Sequence, residues 1–86
     1  MKQIQPVSIW YNGQMIAAIL FNMVCTNDNL VDNATFYYQL FVNQNLQVAD
    51  GVLTISGVDY ISYSTSITAN EYAYQWGATQ LNLTLV

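Results

Sequence analysis

The chain has 86 residues and is 53% hydrophobic but only 7% charged, with a net charge of −4, one cation (Lys2) and no histidine; typical soluble domains carry about 25% charged residues. That length bounds it to one domain, residues 1–86, which buries about 60% of its unfolded surface or a little more. A single cation excludes ordinary recognition of nucleic acid or anionic membranes, and five carboxylates without motif spacing leave no catalytic residue, cofactor or metal site to name, with no histidine to activate a serine.

The first element is a hairpin. Asn12-Gly13 supplies the two residues that tolerate positive φ in a type I′ turn, so Tyr11 falls opposite Gln14, Trp10 opposite Met15, Ile9 opposite Ile16, Ser8 opposite Ala17 and Val7 opposite Ala18. One face then carries Val7, Ile9, Tyr11, Ile16, Ala18 and Leu20, and the other Trp10, Met15, Ala17, Ile19 and Phe21. Neither face is polar. A small domain covers one face with its own core, so Trp10, Met15, Ile19 and Phe21 are expected to meet a neighbouring chain. Before the hairpin, Gln3, Gln5 and Pro6 interrupt any apolar secretory-signal core, so synthesis in the cytoplasm is the expectation. The apolar run over 15–25 is too short to span a bilayer and contains Asn22. Cys25, beside Met23 and Val24, reads as a buried thiol.

The polar stretch 26–33 is a loop. Its oxygens, on Asn27, Asp28, Asn29, Asp32 and Asn33, are of the kind calcium prefers, but the glycine and distal glutamate of a calcium-binding EF-hand loop are missing. A solvated turn is the better reading. A strand follows, with Phe36, Tyr38, Leu40 and Val42 on one face, and after a turn at 43–45 a second strand runs from Leu46 to Ile55 with a bulge expected at Asp50-Gly51. Residues 60–67, β-branched and polar, predict an exposed strand or extended segment. Thr68-Ala69-Asn70-Glu71 is a capping box, with Ile67 and Tyr72 as its hydrophobic staple, and favours a short helix near 69–76, while Tyr72, Tyr74 and Trp76 also alternate with Ala73 and Gln75 as a strand would. Leu81, Leu83 and Leu85 alternate with polar residues and predict a C-terminal strand. The expected fold is therefore mainly β: a small antiparallel β-sandwich or barrel-like sheet.

Twelve aromatic rings among many amides, with Tyr72, Tyr74 and Trp76 close together, are also the composition of a glycan-binding surface. Most of these rings fall on strand faces that need cover, which favours a core and interface role.

The segments ATFYYQLF, VADGVLTISGVDY and YAYQW with TQLNLTLV resemble the small, uncharged, Asn/Gln/Thr-rich β proteins encoded in tailed-bacteriophage structural gene clusters. The resemblance covers about the last two-thirds of the chain. It implies a virion component, either a capsid decoration or cement protein or an appendage subunit, partnered with itself or with other virion proteins, and it implies no catalytic residue. The alternatives are a glycan-binding β module on a particle surface or a phage-encoded inhibitor of a host protein.

Overall fold

In the computed structural model, which describes residues 1–86, Asn12 and Gly13 have φ of 50° and 83°, both positive as a type I′ turn requires. They join β1 (Lys2–Tyr11) to β2 (Gln14–Asp28), and the register is the expected one at all five pairs from Tyr11–Gln14 to Val7–Ala18. Strands β3 (Asn33–Asn43) and β4 (Leu46–Ser56) complete one antiparallel sheet in the order β1-β2-β3-β4. The mainly β expectation holds. The second layer is helical: α1 (Gly57–Ser64) lies over β3 and β4, and α2 (Ala69–Leu81) lies over β2. The sheet coils enough to bring Cα atoms of β1 and β4, its two outermost strands, within 8 Å of each other.

Two irregularities decide which side chains face the core. The β1–β2 register shifts between Gln3 and Val7, a stretch that contains Pro6, and the β3–β4 register shifts around Val48, which pairs with no residue of β3. Proline is tolerated here because β1 is an edge strand and a bulge needs no ladder donor. Opposite the Pro6 irregularity the alternation in β2 slips by one residue, so Ala18 and Phe21, three apart, both have no exposed surface. Phe21, expected on the partner-facing side, is instead a centre of the chain's own core. Gly51 lies within a continuous β4 and pairs regularly with Tyr38, so the bulge belongs to Val48. A Cβ at Gly51 would sit 2.7 Å from the Tyr38 ring, which covers that position.

The helical layer differs from expectation in three ways. Residues 60–64 are helical, not extended. Gly57, with φ of 61°, turns the chain out of β4, and Tyr60 and Tyr63, one turn apart, then face inward. Their packing against the sheet outweighs a β-favouring composition. Second, Thr68 is the N-cap of α2, but its side chain makes no capping bond; Glu71 pairs with Lys2 instead, and Ile67 is fully exposed and staples nothing. Third, the C-terminal strand shrinks to one bridge, Ile4–Leu85. The helix runs to Leu81, Asn82 closes it in the left-handed conformation (φ 59°), and the last residues reach β1, where Gln5 N–H donates to the Thr84 carbonyl at 2.9 Å and Val86 N–H to that of Gln3 at 3.0 Å. The inward leucines Leu81, Leu83 and Leu85 are half-buried, as the alternation implies.

The buried face of α2 is small: Ala73, Gly77 and Ala78. This lets the helix approach β2 closely, since a Cβ at Gly77 would collide with Met23 Sδ and lie 3.3 Å from Phe21 Cζ. Gly77→Ala gains up to about 1 kcal/mol of helix propensity, which offsets the shift forced on a flexible methionine, so near-neutral stability is expected. Gly77→Val overpacks the same contact and should cost about 1–3 kcal/mol in urea unfolding. Equal behaviour of the two variants would contradict this contact.

Candidate functional site

Three surface features are candidates, and the hairpin tip is the most exposed. Residues 14–18 of β2 pair with β1 alone, because the β2–β3 pairing starts at Leu20–Phe41, so the first hairpin extends beyond the sheet as a two-stranded ribbon in a molecule 42 Å long and about 20 Å across. Trp10 and Met15 face each other across it at 68% and 58% exposure. Ile19 is half-buried, and Phe21 is unavailable to a partner. Beyond Gln5 no main chain pairs with the outer side of β1, and none pairs with the outer side of β4.

The end of β2 is also an edge, because β1 stops at Lys2 opposite Phe21. Tyr74 closes part of it: its ring meets Phe21 edge-on at 5.5 Å, its hydroxyl accepts from Met23 N–H at 3.3 Å, and it donates to Asn22 Oδ1 at 3.1 Å. Further along, β1 no longer flanks the strand, and Cys25 is exposed, contrary to the expected buried thiol.

The β2–β3 loop spends its oxygens on its own chain. Asn29 Oδ1 accepts from the N–H groups of Val31, Asp32 and Asn33 at 2.9–3.1 Å, and Asp28 Oδ1 accepts from Leu30 N–H and from the Tyr60 hydroxyl, at 2.8 and 2.7 Å. No three acidic or cysteine side chains converge anywhere in the fold. The Asp28 carboxylate, followed by burial, pushes the Tyr60 phenol up to about 12. Tyr37 is raised by its hydrogen bond to Asp50, and Tyr63 mainly by burial.

Unfolded tyrosine titrates near 10. Between pH 10 and 12 the unfolded chain has therefore lost a proton that folded Tyr60 keeps. Stability should be unchanged up to about pH 10 and fall as pH rises through that window, with Tyr37 and Tyr63 acting in the same direction. Urea midpoints measured across alkaline pH should show this decline, and Tyr60→Phe should make it shallower. A Tyr60→Phe profile parallel to the wild type would contradict the Tyr60–Asp28 bond.

The third feature is an open cleft of about 290 Å³ on the helical layer, lined by Asp59, Tyr72, Gln75, Trp76, Thr79 and Gln80. Five of these lie at i, i+3, i+4, i+7 and i+8 on α2, a single helical face. Asp59 comes from α1, where Oδ2 accepts from the Trp76 indole N–H at 3.3 Å; the inner side of Trp76 packs toward Phe36, with ring centroids 6.3 Å apart. Of the three aromatics grouped in the sequence, the helix brings Tyr72 and Trp76 together and sends Tyr74 to the sheet.

No protein-family model, curated protein or solved structure matches the chain. No helix is long and apolar enough to cross a membrane. Sequence reasoning missed Gln75, Thr79 and Gln80, although their helical spacing from Tyr72 was a usable signal once 69–81 is read as helix. Asp59 carries no such signal, since only the fold brings it to Trp76.

Proposed function

We propose that this protein is a non-enzymatic assembly subunit that oligomerises through its first hairpin and the open edges of its sheet, and that it does so as a virion component made in the host cytoplasm. The observation that carries the assembly reading is the exposed Trp10–Met15 pair at the tip of the ribbon. A tryptophan displays roughly 150–250 Å², too little alone: a specific interface takes about 800 Å² from each partner, against a total surface of 5302 Å² here. The outer sides of β1 beyond Gln5 and of β4, where the two strands do not approach each other, supply the remainder. Pairing the β1 edge of one copy with the β4 edge of the next is head-to-tail and closes into a ring if the rotation allows. The shortage of charge supports the same reading, because free sheet edges are ordinarily protected by charged side chains, and β4 carries only Asp50. The virion part of the proposal rests on the resemblance of the last two-thirds of the sequence to phage structural proteins.

Hydrogen exchange tests the edge pairing. Amides of residues 7–11 on the outer side of β1 should gain protection as protein concentration rises. Protection independent of concentration would contradict the proposal.

A further inference from the structure

We infer that the cleft between α1 and α2 is a binding site for a neutral sugar ring, separate from the assembly surfaces and independent of the assembly reading. The cleft is lined by two aromatic rings, those of Tyr72 and Trp76, and by four hydrogen-bonding residues, Asp59, Gln75, Thr79 and Gln80. Trp76 is fixed from two directions, by Phe36 behind it and by Asp59 at its indole N–H. A ring held this way offers its face without further loss of side-chain freedom, and the C–H face of a pyranose is its natural partner.

The polar groups narrow the class of ligand. Gln75 and Gln80 carry amide donors as well as acceptors, Asp59 keeps Oδ1 free after Oδ2 engages the indole, and Thr79 donates its hydroxyl proton to the Gln75 carbonyl at 3.0 Å while keeping its lone pairs. A sugar hydroxyl both donates and accepts, so it uses all of these. An ammonium group has no acceptor for the glutamine N–H groups, and in an open cleft it stays hydrated, which weakens its attraction to the rings. An anionic sugar meets Asp59 and a chain of net charge −4. The neutral hexopyranose is the class that every lining group fits. For a ligand of this size in an open site, the dissociation constant should be on the order of 1 mM.

The test uses the full chain and two-dimensional NMR, in which the indole N–H signals of Trp10 and Trp76 report separately. Methyl glycosides of glucose, galactose, mannose and N-acetylglucosamine are titrated one at a time. At least one should shift the Trp76 indole signal saturably and leave that of Trp10 unmoved. Gln80→Ala and Gln75→Ala, both exposed and remote from the core, should each weaken that binding about threefold to tenfold, and Trp76→Phe, which keeps a ring on Phe36, should weaken it more than tenfold. Silence of all four glycosides at roughly ten times the expected dissociation constant would overturn the inference. So would shifts that both glutamine variants leave unchanged, or tighter binding of tetramethylammonium than of any glycoside.

Discussion

Trp10→Asp should abolish assembly and leave the fold intact. Trp10 is 68% exposed and makes no core contact, so its replacement removes no buried contact from the single chain and should change its urea midpoint little. In an assembled particle the same change places a carboxylate where an aromatic anchor was buried. The loss combines the transfer energy of a large ring, at roughly 25 cal/mol per Å², with the cost of burying an unpaired charge, and truncation of a central aromatic anchor alone commonly costs 2 kcal/mol or more. Sedimentation of Trp10→Asp beside the wild type reads this directly, and Met15→Asp, on the opposite strand, should behave alike. Assembly that persists in both variants would remove the hairpin tip from the interface.

Phe21→Ala should have the opposite profile. Its ring has no exposed surface, meets Tyr74 edge-on at 5.5 Å and lies under Gly77. Truncating a buried phenylalanine costs about 3–5 kcal/mol, and a domain of this size has about 5–10 kcal/mol in total. The variant should lose about a third or more of its urea midpoint or show no cooperative transition. Loss of assembly with an unchanged midpoint would instead put Phe21 back at a partner surface. The two variants together separate the ring that holds the chain from the ring that offers itself to another.

The difference between Trp10 and Phe21 also shows how far the sequence was legible. The hairpin and its register were readable because Asn12-Gly13 imposes them locally, through φ alone. Strict alternation then placed Phe21 on the face of Trp10. It failed because the irregularity at Pro6 moves the phase of both strands, and no local pattern announces where a sheet will bend. The start of α2 was readable from Thr68, although the glutamate that marked it serves Lys2 instead. Helix α1 was not readable, because the two tyrosines that anchor it gain their energy from the sheet and not from their neighbours in sequence. The cleft was half legible: a helical reading of 69–81 puts Tyr72 beside Trp76 and takes Tyr74 away, while Asp59 arrives only with the packing of α1.

The central claim is that the hairpin tip and sheet edges join copies of this chain, and the most direct measurement is the mass of the purified protein by light scattering over a dilution series. The account predicts a discrete oligomer, an integral multiple of the 9.7 kDa chain, that dissociates on dilution. A mass of 9.7 kDa at every concentration would contradict it.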